Sequence, residues 1–85
     1  MEDLKHAMIR WGARLFERRL VCGWGGNLSC RVGKEQILIT GSHAPLGFLS
    51  PADFVLVDAA GKPLQPGEQP SSETPLHLAV YRATD

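Results

Sequence analysis

Three glycines within four positions, Gly23, Gly25 and Gly26, constrain this chain more than any other stretch. A helix through them would carry a large backbone entropy cost, so they divide an N-terminal segment of helical periodicity from a middle of short strands. On the N-terminal side Leu4, Met8, Trp11 and Leu15 recur at spacings of four, three and four, with Ala7 and Phe16 widening the stripe. That spacing predicts an amphipathic helix from about Asp3 to Leu20. Gly12 weakens it by about 1 kcal/mol relative to alanine, and close packing against a neighbour is one reason for such a glycine.

Beyond the glycines, Leu28 to Val32 reads as a short strand, Gly33-Lys34 as a tight turn, and Gln36 to Thr40 as a second strand antiparallel to the first. Residues 41–47 form a loop. Ser50 as cap and Pro51 at the first position then predict one short helical turn. Phe54 to Asp58 is the clearest strand, whereas Pro63 to Pro70 carries too much proline and glycine for a central one. A second helix is expected from near Ser72, with Pro75 tolerated in its first turn and Leu76, Ala79, Val80 and Ala83 as its apolar stripe. The helical pattern still runs at Arg82-Ala83-Thr84-Asp85, with no glycine or proline after it, which reads as a sequence cut or ended early.

Eighty-five residues support one domain at most, burying about 60 to 65% of the unfolded surface. An apolar content of 44% is enough to require a core. Nine Lys and Arg balance nine Asp and Glu, which removes any global attraction to nucleic acid or anionic lipid, so neither is an expected partner. Arg10, Arg14 and Arg18, spaced by four, read as a solvated helix face. Cys22 and Cys30 lack CxxC spacing and suit two thiols in a reducing cytoplasm. Acidic Glu2 and Asp3 in place of a basic leader, and no apolar run approaching ~20 residues, agree with a cytoplasmic location and no membrane.

The run Pro70-Ser71-Ser72-Glu73-Thr74-Pro75-Leu76-His77, ending in Tyr81, carries the most chemistry. Ser71 and Ser72 place hydroxyls, beside unpaired amides, where the helix dipole is positive, which favours an anion, although capping explains one of them equally well. Glu73, His77 and Tyr81, spaced by four, lie along one side of the helix. They suit either a proton-transfer carboxylate with polar support or a dipole-favoured glutamate with a partly buried histidine and tyrosine behind it. The loops Gly25-Gly26-Asn27 and Gly41-Ser42-His43 can offer backbone amides to a phosphate. Neither is a Walker or Rossmann sequence. His6, His43 and His77 are not at ligand spacing, so no metal site is expected from them.

Taken together, Gly26-Asn27-Leu28-Ser29-Cys30-Arg31, Ile37-Leu38-Ile39-Thr40-Gly41-Ser42, the stretch from Leu49 to Gly61, and Pro70-Ser71-Ser72-Glu73 with His77 and Tyr81 resemble, in order, the N-terminal part of the class II aldolase and adducin family. The resemblance implies an α/β fold: an α/β/α layered domain with a mainly antiparallel sheet, of which residues 1–85 are a single partial domain, and usually a homo-oligomer. It also implies that Gly26, Asn27, Thr40, Ser42, Ser71 and Ser72 bind the phosphate of a phosphorylated sugar, with Glu73 as the acid/base residue and His43, His77 and Tyr81 as accessory groups. The family's divalent metal, zinc by expectation, is held by an HxH-like pair after this helix and a third histidine later. No residue here matches them, so the chain alone is expected to bind none.

Two departures stand out. The family's phosphate loop usually reads Thr-Pro-Ser/Thr-Gly, and here it is Thr40-Gly41-Ser42-His43, so the side chain at position 43 either obstructs the phosphate or supplies it with positive charge. Trp24 stands near Gly26-Asn27 and reads as a core plug in preference to a lid over sugar. Ser71-Ser72-Glu73 resembles the aldolase branch, a metal-dependent sugar-phosphate lyase, and that assignment is made narrowly over the branch that dehydrates methylthioribulose phosphate. A non-catalytic, adducin-like interaction module is the rival from outside enzymology. A third reading is a remnant whose open faces at Leu4/Met8/Trp11 and Leu76/Val80 drive self-association.

Overall fold

The structure, a computed structural model, describes residues 1–23 and 25–84. Helix α1 (Glu2–Glu17) is followed by strands β1 (Ser29–Arg31), β2 (Gln36–Thr40) and β3 (Phe54–Asp58), then by helix α2 (Thr74–Ala83). Two single 3-10 turns, Leu46–Phe48 and Pro51–Asp53, lie between β2 and β3. The second has Ser50 at the N-cap position with Pro51 after it, as the sequence predicts, and the Asp53 carboxylate accepts from Ser50 N–H at 2.8 Å. The expected Trp24 core plug falls outside the described residues.

The strands form an antiparallel meander in the order β1-β2-β3, with Cys30 opposite Leu38 and Leu38 opposite Leu56. The hairpin between β1 and β2 closes over Gly33-Lys34-Glu35, where Val32 N–H donates to Gln36 O, one residue longer than the turn the sequence suggested. Alternation sends Leu38 and Phe54 to one face, where they pack with Met8 of α1 and with Leu46 and Leu49. Ile37, Ile39, Val55 and Val57 point to the other face, under Leu78 of α2. Because both faces are covered, Ile37-Leu38-Ile39 reads as a continuous apolar run instead of an alternating one. The result is the α/β/α layering and antiparallel sheet that the sequence led one to expect.

Three helical expectations need correction. Trp11 is 60% exposed, and the buried residues of α1 are Met8 and Gly12. A Cβ at Gly12 would stand 2.4 Å from the Leu46 carbonyl oxygen, and one at Gly47 would stand 2.5 Å from Phe16 Cγ. Close approach of α1 to the 3-10 turn therefore selects the rotation of the helix, and Trp11 is left outside with the Arg14 guanidinium 5.4 Å from its ring centroid. The helix also stops before Leu20. Arg19 adopts φ 61°, Arg19 N–H donates to Phe16 O and Leu20 N–H to Leu15 O, the paired bonds of a Schellman ending with arginine in the usual glycine position.

In α2 the expected stripe of Leu76, Ala79, Val80 and Ala83 faces away from the sheet, with Leu76 60% and Val80 54% exposed. Thr74 and Leu78 are buried instead. Hydrogen bonds from His77 and Tyr81 to β1, described below, fix this rotation.

Gly12→Ala should lower stability by roughly 1–3 kcal/mol even though alanine is the better helix former, because the new methyl meets a backbone oxygen. Urea denaturation should show a lower midpoint at unchanged slope. An equal or higher midpoint would contradict the close approach.

Candidate functional site

Three loops meet at the end of β2. In the first, Gly26 holds φ 89°, and a Cβ there would lie 2.8 Å from Val21 Cγ1 and 2.9 Å from Leu46 Cδ1, so glycine is needed for both conformation and space. The loop is tied to β2 by Thr40, whose Oγ1 accepts from Leu28 N–H at 3.1 Å and whose own N–H donates to Leu28 O at 2.9 Å. In the second, Gly41 N–H donates to Asp53 O at 2.7 Å and Ser42 N–H to Gln69 O at 2.8 Å. In the third, Ser71 N–H donates to Thr40 O at 3.0 Å, drawing the start of α2 against the strand.

Between these loops is an open pocket of about 160 Å³, lined by Gly26 and Asn27, by Gly41, Ser42 and His43, and by Ser71, Ser72 and Glu73. Of the residues singled out for phosphate and proton chemistry, Gly26, Asn27, Ser42, Ser71, Ser72 and Glu73 are thus brought together. Thr40 is the exception. It is only 1% exposed and its hydroxyl is turned to Leu28, so it supports the pocket from beneath without lining it.

The helix start supplies fewer free amides than its sequence suggested. Glu73 N–H donates to Ser71 Oγ at 3.1 Å, Thr74 N–H to Ser71 O, and Leu76 and His77 N–H to Glu73 O, while Pro75 has no N–H. Ser71 is therefore the capping-type serine. Among the described residues Ser72 Oγ and the Asn27 NH₂ group have no hydrogen-bond partner, and both residues line the recess. His43 adopts φ 64°, a left-handed conformation that glycine favours and histidine tolerates better than most residues. It is one of the residues that line the recess.

His77 and Tyr81 stand one layer behind this wall. His77 Nε2 contacts Asn27 Oδ1, His77 Nδ1 lies 2.6 Å from Ser29 Oγ, and Tyr81 OH lies 2.9 Å from the same Ser29 Oγ. Of Glu73 and His77, read from the sequence as one surface, Glu73 is among the pocket-lining residues and the His77 imidazole backs Asn27. Burial lowers the pKa of His77 below 6.5, and the Glu73 carboxylate opposes that shift. Two β1 residues escaped notice as partners. Ser29 binds both rings, and Arg31 Nη2 donates to Tyr81 O at 2.5 Å with its guanidinium 5.0 Å from the Tyr81 ring centroid. The signal was present in the alternation of Ser29 and Arg31 with Leu28 and Cys30, which puts both polar side chains on the α2 face.

Among the described residues no three His, Cys, Asp or Glu side chains converge as they would around a metal ion.

A family model described as the class II aldolase and adducin N-terminal domain matches residues 6–85. A methylthioribulose-1-phosphate dehydratase of Granulibacter bethesdensis is 46% identical over 75 residues, covering 88% of this chain and 35% of that protein. A 3-oxo-tetronate 4-phosphate decarboxylase of Haemophilus influenzae is 37% identical over 84 residues, covering 96% of this chain and 40% of that protein. A solved structure of L-fuculose 1-phosphate aldolase superimposes with a TM-score of 0.85 at 34% identity, covering 100% of this chain and 41% of that one. The chain thus spans about two fifths or less of the length of these relatives.

A histidine whose folded pKa is depressed adds stability above the unfolded value and loses it as pH falls through the folded value. An NMR titration should accordingly place the His77 midpoint below 6.5, with stability declining on acidification. A midpoint above 6.5 would contradict the burial described.

Proposed function

The chain belongs to the class II aldolase and adducin family, and on that premise we propose that its pocket holds the phosphoryl group of a phosphorylated sugar while Glu73 moves a proton on the bound sugar. The observation that carries this reading is convergence. Residues 26–27, 41–43 and 71–73, far apart in sequence, line one recess. Asn27, Ser42 and Ser72 bring neutral donors suited to phosphate oxygens, and α2 directs the positive end of its dipole to the same place. Glu73 shares the wall, so a carboxylate is available to take a proton from carbon beside a carbonyl and to return it in the reverse step.

The first reading of the reaction is carbon–carbon cleavage, as in a sugar-phosphate aldolase, supported by the superposition over the whole chain. Dehydration is the second, favoured by the higher identity to the dehydratase, 46% against 34%. Both need the same two parts, a phosphate anchor and a proton-transfer carboxylate. On this reading residues 1–85 are the phosphate-binding part of a larger domain in a cytoplasmic homo-oligomer, to which exposed Leu76 and Val80 offer apolar surface. The family usually binds a divalent metal; we assign zinc to the complete domain, with ligands beyond the described residues.

Calorimetry with inorganic phosphate separates the two roles. Ser72→Asp places a second carboxylate at the recess and should weaken phosphate binding by more than about tenfold, whereas Glu73→Gln removes a like charge and should leave binding unchanged or tighter. In a protein carrying the complete domain, Glu73→Gln should reduce turnover by about 10²- to 10⁴-fold. Unaltered phosphate affinity in Ser72→Asp would overturn the assignment of the pocket.

A further inference from the structure

The contacts behind Asn27 form a chain whose direction follows from which atoms can donate. Asn27 Oδ1 carries only lone pairs, so the His77 Nε2 that contacts it must hold a proton. In a neutral imidazole Nδ1 is then an acceptor, and the hydroxyl of Ser29, 2.6 Å away, must donate to it. Ser29 Oγ has thereby used its proton, so the Tyr81 hydroxyl at 2.9 Å donates to Ser29. The order is Tyr81 to Ser29 to His77 to Asn27, one proton per link. With its carbonyl held by His77, Asn27 has its NH₂ group left for the pocket that this residue lines.

From this geometry we infer that His77 is a positioning residue of the phosphate pocket, fixing the Asn27 side chain so that its amide donors, and not its carbonyl, meet the anion. The inference rests on the pocket reading proposed above and adds to it a role for His77, Ser29 and Tyr81. The opposite arrangement has Nδ1–H donated to Ser29 and Asn27 NH₂ donated to Nε2. It would turn the Asn27 carbonyl toward a recess that acidic Glu73 also lines, and both would repel phosphate. The partly buried site keeps the imidazole neutral, as the first arrangement requires, because burial lowers its pKa. The elements supply the precision: β1 alternation points Ser29 at α2, and the i, i+4 spacing of His77 and Tyr81 brings both rings to that one hydroxyl.

The test combines phosphate titration with the tautomer of His77. In the wild type, long-range ¹⁵N–¹H correlation of the His77 ring should show Nε2 protonated and Nδ1 bare. His77→Phe, which keeps a ring but removes both nitrogens, should weaken inorganic phosphate binding roughly tenfold through loss of the hydrogen bond that orients Asn27. His77→Gln, whose terminal NH₂ can occupy the Nε2 position, should recover affinity to within about threefold of wild type. A protonated Nδ1 in the wild type, or undiminished phosphate affinity in a folded His77→Phe protein, overturns the inference and leaves the pocket itself standing. Should His77→Phe fail to fold, the wild-type tautomer and the affinity of His77→Gln decide the matter. A wild type that binds no phosphate overturns the pocket reading first, and the role of His77 falls with it.

Discussion

At the C-terminal end of β2 three consecutive residues bind three other parts of the chain through their backbones. Thr40 pairs with Leu28 and accepts from Ser71, Gly41 donates to Asp53, and Ser42 donates to Gln69. The loop carrying Asn27 and the turn carrying Glu73 are otherwise free to diverge, and these bonds bring them to one strand end. Thr40 is buried because it serves two of these connections at once, with its hydroxyl on Leu28 N–H and its carbonyl on Ser71 N–H. Gly41 donates its N–H to Asp53, a bond that proline could not make. A Cβ in its place would lie 3.3 Å from the Asp53 carbonyl oxygen and 3.4 Å from that of Gln69, tighter than ordinary contact.

The strand end can serve as an anchor because the rest of β2 is held on both faces. Ile37 and Ile39 are buried with Leu78 of α2, and Leu38 with Met8 of α1. Removing such side chains from water gives each about 1.5–3 kcal/mol, and that burial fixes the register on which the loop positions depend. Gly12 and Gly47 let α1 approach the 3-10 turn closely, with Phe16 and Phe48 meeting edge to face at 5.2 Å. The same contact brings Leu46 against Gly26. Packing on the α1 side thereby reaches the glycine loop of the pocket.

Much of this was legible in the residues. The continuous apolar runs of β2 and β3 report a buried sheet directly, and Ser50-Pro51 reports its turn. The ordered motifs also indicated the pocket: Gly26-Asn27, Ser42 and Ser71-Ser72-Glu73 do share one recess. Helix rotation was harder to read. Periodicity places Trp11 on the apolar stripe of α1 and Leu76 on that of α2, yet both are 60% exposed. A glycine scores as a gap in an apolar stripe although, at position 12, its missing side chain is what permits contact. In α2, polar bonds from His77 and Tyr81 to Ser29 compete with the pull of Leu76 and Val80, and no single-helix pattern contains the partner strand. Arg19 hides the end of α1 for a similar reason, since its left-handed conformation is imposed by hydrogen bonds and is not signalled by its residue type.

The account turns on where a phosphate sits. A crystal structure of this chain with inorganic phosphate should place the anion between the Asn27 amide, Ser42 and Ser72, with the Asn27 carbonyl directed back to His77. Phosphate found instead on the opposite basic surface, where Arg31, Lys34 and Arg82 line a separate recess, with the Asn27–Ser72 pocket empty, would contradict it.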